Sequence, residues 1–481
     1  MTAQIPHWRG GQRWTGSGDR AGDVYDPATG EVSGRVGFAT REDVDAVVAD
    51  AVEAGRAWAA ESLTRRTTGM FAFREAVWRR RKEIAAAITA EHGKVLYDAL
   101  GEVQRGLEVA EFACGAPHLL KGGFSDGVST GVDVYSIRQP LGVVAVISPF
   151  NFPAMVPLWF VPVASACGNA VVLKPSEKDP SASMLLAELW AEAGLPPGVV
   201  NLLNGGKDSV NALLEHPGVD GVSFVGSTQV ARYIYETAAK HGKRVQALGG
   251  AKNHVVVMPD AELESAVDGV LSSAFHAAGQ RCLANSVCVA VGDAYEPLKE
   301  RLVAKGGAMV VGDGSDEATE VGPVISPDSQ ERILGWIEKG VEDGGELVLD
   351  GRGRGSGGGN FIGPTIIEAE PEAEIAREEI FGPVLTLLKA RDLGHALEIL
   401  NSSTKGNAAS IFTTSGGAMR RFRYEAEAGM LGVNIGVAAP MSFFPFTGWK
   451  DSFFGDLHAH GRDAIDFYTE KKVVITRWPK V

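Results

Sequence analysis

Of the four cysteines, at 114, 167, 282 and 288, one sits where a thiol can do chemistry. Cys282 lies in FHAAGQRCLAN, directly after a Gly-Gln-Arg turn and beside the cation of Arg281. An adjacent cation lowers a thiol's pKa toward the nucleophilic thiolate. Cys114, Cys167 and Cys288 stand in apolar contexts and read as inert buried thiols. Asn151, in SPFNFP, follows a β-rich run in a loop bounded by prolines, a rigid place from which its amide can donate to an oxyanion. An asparagine there also serves as a turn former. In KPSEKDP, Lys174 and Glu177 offer a cation and an acceptor to ribose hydroxyls, or else form an ordinary charged loop. FVGSTQVA ends a strand-like run at Gly226 and sets Ser227 and Thr228 at a helix N-terminus, which suits a pyrophosphate. It is not GxGxxG, so the usual dinucleotide fingerprint is absent. No CxxC or Cys/His spacing suggests a metal site.

These residues need a scaffold, and the chain is long enough for a large one. Its 481 residues amount to about three domain-sized units. With 45% apolar and 22% charged residues it is globular in composition, which excludes disorder and a disulfide framework. Set against 60 acidic residues, 46 Lys and Arg leave a net charge of −14, so nucleic acid is not an expected partner. The basic run Arg79-Arg80-Arg81-Lys82 reads as a solvated helix face. The apolar stretch from Val143 to Leu173 is as long as a membrane span, yet Pro149, Pro153, Pro157 and Pro162 interrupt it. It reads as strand, loop, buried helix and strand, with no membrane partner. The first residues, MTAQIPHWRGGQRW, hold no apolar core of signal-peptide length, and a cytoplasmic protein with reduced thiols is expected.

From Thr40, apolar positions recur at helical spacing behind a Thr40/Asp43 capping box, predicting three long helices to about Leu120. GVDVYSIRQ (131–139) alternates like an exposed strand. LGVVAVISP, NAVVLKP, GVVNLLNG, GVSFVG and KRVQAL then alternate with helical stretches, which predicts βαβ units and a parallel sheet with its ligand site at the carboxyl ends. A second β/α series follows from His254, through HVVVMP, NSVCVAV, VGPVIS, FIGPTII and FGPVLTLLKA. The glycine-rich 351–359 segment reads as a surface loop between two of its strands.

Taken in order, SPFNFP, LKPSE, FVGST, GAKNH, GQRC and EEIFGPV resemble the aldehyde dehydrogenase superfamily over almost the whole chain. GAKNH, GQRC and FTGWKDSFFGDLHAHG look more specifically like its CoA-acylating methylmalonate-semialdehyde dehydrogenases. The resemblance implies an α/β protein: a Rossmann-type NAD-binding domain (1–123 and 141–249), a catalytic α/β domain (250–452) and a small β oligomerisation element (124–140 and 453–481). It implies Cys282 as nucleophile, with Asn151 and the Cys282 N–H as oxyanion hole. For NAD it implies Lys174 and Glu177 at the adenosine ribose, Ser227 at the pyrophosphate and Glu379 at the other ribose. Ser148, Phe150, Lys178, Gly249 and Phe381 complete that cofactor site by resemblance. Arg105 and Arg281 are implied as anchors for a substrate carboxylate, which a guanidinium fork fits bidentately. Coenzyme A is implied as co-substrate, and a homodimer or homotetramer as the assembly.

Leu248 is the informative departure. Aligned on Lys252, it stands where hydrolytic members carry the glutamate of ELGGK, and leucine cannot be a general base. Without a base to activate water, coenzyme A is the expected acyl acceptor. The expected reaction is NAD-dependent oxidation of a short acid semialdehyde, malonate or methylmalonate semialdehyde, to acetyl-CoA or propionyl-CoA with loss of carbon dioxide. Two other readings stay open: an aldehyde dehydrogenase that releases free acid, and a non-catalytic NAD-binding relative. Ala231 stands where GSTxxG ends in glycine, and the 434–448 loop differs from the subfamily's proline-rich form.

Overall fold

The computed structural model describes residues 3–355 and 358–479; Ser356 and Gly357 of the glycine-rich loop lie outside the described residues. Five parallel strands, buried except at Arg244, form the centre of an eight-stranded sheet, and the mostly apolar content of their runs reflects coverage on both faces. Across the sheet the order is Phe453–Gly455, Arg244–Leu248, Gly221–Val225, Val143–Ile147, Ala170–Lys174, Val200–Leu202, His7–Arg9 and Gln12–Trp14. Chain direction across the sheet reverses between Val143–Ile147 and its neighbour Gly221–Val225. That is the topological switch point at which open α/β sheets bind ligands.

A seven-stranded sheet forms the second unit, with Asn253–Val257 and Asn285–Val291 paired in parallel at its centre. Its edge strands Glu346–Leu349 and Thr365–Glu368 pair antiparallel and flank the glycine-rich segment, as a loop between strands requires. The VGPVIS segment makes no strand; only a bridge from Val321 to Val311 forms there. A three-stranded antiparallel sheet joins Phe124–Ser129, Val132–Pro140 and Thr469–Arg477. Phe453–Gly455, grouped by sequence with this small sheet, instead extends the edge of the eight-stranded one.

The opening segment differs from its expectation. Five short strands precede the first helix, and four long helices follow: Arg41–Ala60, Leu63–Arg79, Arg81–His92 and Leu96–Cys114. Strands of three residues are too short to show a period. The capping box is present, with Thr40 Oγ1 accepting the Asp43 N–H and Asp43 Oδ2 accepting the Thr40 N–H. The basic run spans the break between two helices. Arg79 and Arg80 pair with surface glutamates, whereas Arg81 and Lys82 border a cavity described below.

Helix Met155–Ala166, buried along its whole length, has no side-chain cap of its own. Glu102, from helix Leu96–Cys114, supplies one: its Oε1 accepts the N–H groups of Ala154 (2.9 Å) and Met155 (3.1 Å). Its Oε2 accepts from Lys94 Nζ at 2.7 Å, and the same ammonium donates to the Asn151 carbonyl at 2.6 Å. Both side chains are almost wholly shielded from solvent. Replacing Lys94 with Met would leave the Glu102 charge buried and uncompensated. Lys94→Met is therefore expected to cost about 3–5 kcal/mol, read as a lowered urea midpoint, whereas an unchanged midpoint would show the pair to be dispensable.

Candidate active site

Two cavities, about 850 Å³ and about 650 Å³, meet at Cys282, which lines both. The larger opens along the carboxyl ends of the parallel strands. Ser148, Phe150 and Asn151 follow strand Val143–Ile147 into it, and Lys174, Glu177 and Lys178 follow Ala170–Lys174. Ser227 enters it after Gly221–Val225, and Gly249 after Arg244–Leu248. The second unit contributes Glu379 and Phe381. Arg105 and Arg281 line the smaller cavity instead, together with Phe152, Trp159 and Phe446. All thirteen residues singled out from sequence thus border one of two spaces that share the thiol.

Cys282 follows an unusual turn. Ala277, Ala278 and Gly279 all adopt left-handed φ, 52°, 52° and 69°. Such a conformation is unfavourable for alanine and persists only where the surroundings enforce it. At Gly279 a Cβ would lie 2.1 Å from the Gly382 carbonyl, so only glycine fits. Asn151 Nδ2 donates to the Gln280 carbonyl at 3.0 Å, which leaves its second N–H for an oxyanion. Asn253 and Asn407 both donate to the Cys282 carbonyl, at 2.8 and 2.9 Å, and fix the peptide that bears the nucleophile.

The pKa of the thiol is raised overall, contrary to the expectation from sequence. Burial pushes it up to about 12, Glu379 adds to the rise, and the N–H groups of Cys282 and Leu283 with Arg281 offset only part. The Arg281 guanidinium is turned away to Asp98, 2.8 Å from Oδ1. Adjacency in sequence does not set its direction in space.

The larger cavity suits a dinucleotide. Ser148 Oγ is buried without a partner at its wall, and Ser227 caps helix Thr228–Lys240 without a side-chain bond, leaving first-turn N–H groups for a phosphate. Lys174 Nζ meets Glu177 Oε2 at 3.0 Å at the cavity wall. Glu379 Oε1 accepts the Ala251 N–H at 2.9 Å, with burial raising its pKa. Ala231 points into the apolar layer under the helix and is absent from the cavity wall, so its methyl takes no ligand space.

Residues 14–474 match the aldehyde dehydrogenase family. The chain belongs to that family. It is 49% identical over 480 residues to malonate-semialdehyde dehydrogenase 1 of Geobacillus kaustophilus, covering 99% of this chain and 98% of the relative. A Sinorhizobium meliloti structure assigned as a methylmalonate-semialdehyde dehydrogenase and complexed with NAD is 43% identical, with a TM-score of 0.99 over 100% of this chain and 99% of that one. Methylmalonate-semialdehyde dehydrogenase of Oceanimonas doudoroffii is 45% identical, with a TM-score of 0.98 over the same shares.

Family motifs did not single out Lys94, Asp98, Glu102 or Arg332. Arg332, on helix Pro327–Glu342, borders the larger cavity within reach of the Glu379 charge. Its signal in sequence was only a charged position on an amphipathic helix. For the nucleophile the sign of the pH effect is direct. A thiol at about 12 is almost wholly protonated near neutrality, so iodoacetamide alkylation of Cys282 in the cofactor-free enzyme is expected to rise about tenfold per pH unit from about pH 7 to about pH 10. A plateau reached near pH 8 would contradict the burial effect.

Proposed function

We propose that this aldehyde dehydrogenase oxidises a short acid semialdehyde, malonate or methylmalonate semialdehyde, and passes the acyl group to coenzyme A. The observation that carries the reading is the state of the carboxylates around Cys282. Asp98 is paired with Arg281, Glu102 with Lys94, Glu108 with Arg105 and Glu177 with Lys174, while Glu379 accepts a main-chain N–H through Oε1 and lines the cofactor cavity, not the acyl one. Leu248 brings no carboxylate: it is buried at the end of its strand, within the apolar core. The imidazole of His460, on the smaller cavity, is held down to about 3 by burial and by Arg105, too low for an effective base. Water in the acyl cavity therefore lacks an activating group, and a thiol nucleophile, already more reactive, has the advantage.

In the proposed mechanism the semialdehyde occupies the smaller cavity with its carboxylate toward Arg105 and Arg281. The Cys282 thiol first gives up its proton to solvent, against its raised pKa, and the resulting thiolate attacks the aldehyde carbon, with Asn151 Nδ2–H and the Cys282 N–H donating to the oxyanion. NAD bound in the larger cavity accepts the hydride. Collapse leaves a thioester on Cys282. A β-carboxylate departs as carbon dioxide because the thioester carbonyl takes up the electron pair, and the resulting enolate carbon is then protonated. The coenzyme A thiolate attacks the same carbonyl and expels the Cys282 thiolate. Free-acid release would need one of the paired carboxylates to disengage, or Glu379 to act from the cofactor side. A non-catalytic role is disfavoured because Cys282, Asn151 and Glu379 all converge on one cavity.

The domain division given above, with Phe453–Gly455 moved to the eight-stranded sheet, and assembly as a homodimer or homotetramer are part of this reading. The small sheet leaves Phe124, Val473 and Ile475 at 67%, 64% and 70% exposure, apolar surface that a second copy would cover. A cytoplasmic location is favoured by four free cysteines. No helix among the described residues is long and apolar enough to cross a membrane.

Without coenzyme A the enzyme is expected to give a burst of NADH stoichiometric with active sites, then a slow phase; adding coenzyme A restores steady turnover. Rapid steady release of free acid without coenzyme A would sink the acylating assignment. Glu177 is expected to repel a 2′-phosphate, so NAD is preferred over NADP. Glu177→Gln is expected to raise the NADP-to-NAD ratio of kcat/KM about tenfold, a fraction of what close like charges cost. An unchanged ratio would place the discrimination elsewhere.

A further inference from the structure

Helix Leu96–Cys114 carries Asp98, Glu102 and Arg105 at spacings of four and three residues, which places them on one face. Glu102 is committed to Lys94 and to the cap of helix Met155–Ala166, and Arg105 to Glu108 and the Pro440 carbonyl. Asp98 reaches a different target, the turn before Cys282. Its Oδ2 accepts the Ala277 N–H at 2.9 Å, and its Oδ1 accepts Arg281 Nη2 at 2.8 Å, with His276 Nδ1 at 3.7 Å. The Asp98 side chain is 6% exposed and that of Arg281 17%, so this contact is largely shielded from water. Arg281 has one other bond among the described residues, to the Ser272 carbonyl at the limiting distance of 3.5 Å.

Two consequences follow from this geometry. A guanidinium on a long stem loses rotamer freedom when it binds, and a carboxylate that already fixes one edge removes that cost from substrate binding. The same carboxylate holds the first of the left-handed residues that carry the chain to Cys282. We infer that Asp98 is a positioning residue with two functions: it presents the free edge of Arg281 to the substrate carboxylate, setting the preference for acid semialdehydes, and it clamps the turn that places the nucleophile. This rests on the acid-semialdehyde reading above.

The test uses Asp98→Asn and Asp98→Ala in the full-length enzyme, assayed with NAD, coenzyme A and either malonate semialdehyde or propionaldehyde, which has no carboxylate. Asparagine keeps an acceptor for the Ala277 N–H and loses the charge-assisted bond to Arg281. Asp98→Asn is expected to raise KM for malonate semialdehyde about tenfold, with kcat within about threefold and both propionaldehyde constants unchanged. In an Arg281→Gln background the same change is expected to have no further effect on that KM, because the two residues act as a unit. Asp98→Ala also frees the turn, and is expected to lower kcat for both aldehydes and the rate of iodoacetamide alkylation of Cys282 by about tenfold.

Equal KM increases for the two aldehydes in Asp98→Asn, or an undiminished effect in the Arg281→Gln background, would overturn the presenting role. Unchanged propionaldehyde kcat and unchanged alkylation in Asp98→Ala would overturn the clamp. Failure of the underlying function is visible separately: a wild-type enzyme that uses propionaldehyde as efficiently as malonate semialdehyde loses the acid-semialdehyde reading and the presenting role with it, whereas the alkylation measurement decides the clamp without any substrate.

Discussion

One buried ion pair, Lys94 with Glu102, fixes the parts of the chain that the site needs in common. Lys94 lies at the entry to helix Leu96–Cys114, and Glu102 lies two turns into it. Through the Asn151 carbonyl the pair holds the loop after strand Val143–Ile147, and through Ala154 and Met155 it holds the start of the helix that follows. An ion pair this deep adds little net stability compared with apolar packing, because both charges are desolvated. Its value is geometric. Each charge is satisfied only when three separate segments meet, so alternative packings of those segments leave a charge unpaired.

The same economy of partners runs through the two cavities. Cys282 is placed where one space ends and the other begins, so a hydride acceptor and an aldehyde can approach one sulfur from different sides. That position partly desolvates the thiol, and desolvation opposes its ionisation more strongly than Arg281 assists it. A half-buried thiol held in its protonated form reacts slowly with adventitious electrophiles and oxidants while no ligand is bound.

Much of this was legible in the sequence. The β-rich runs and the loops after them carry Asn151, Lys174, Ser227 and Gly249, because a parallel sheet sends every such loop to one edge. Cys282 was legible from its turn and Glu379 from its motif. Strands His7–Arg9 and Gln12–Trp14 were not, since three residues carry no period. Nor was the attachment of Phe453–Gly455 to the far edge of the eight-stranded sheet, a contact across about two hundred residues of chain. The charges on helix Leu96–Cys114 illustrate the harder limit. In sequence, Asp98, Glu102 and Arg105 form an ordinary polar helix face; only the fold turns that face inward, toward the nucleophile's turn, the oxyanion loop and the acyl cavity. Arg281 meets the same limit: its neighbour in sequence is Cys282, whose pKa it lowers only in part, and its partner in space is Asp98.

The two arginines assigned to the substrate carboxylate each carry a carboxylate of their own, Arg281 with Asp98 and Arg105 with Glu108, while Arg81 on the same wall donates to the Trp78 carbonyl. An unpaired arginine in an apolar wall would be costly to fold and would attract any small anion. A prepaired one is stable alone, and the substrate carboxylate binds by sharing donors that are already oriented. Five N–H groups on each guanidinium make that sharing feasible without breaking the internal pair. An aldehyde lacking a carboxylate gains nothing from either arginine and still has to displace water from them. Selectivity for acid semialdehydes then arises less from added attraction than from the desolvation that the wrong substrate leaves uncompensated.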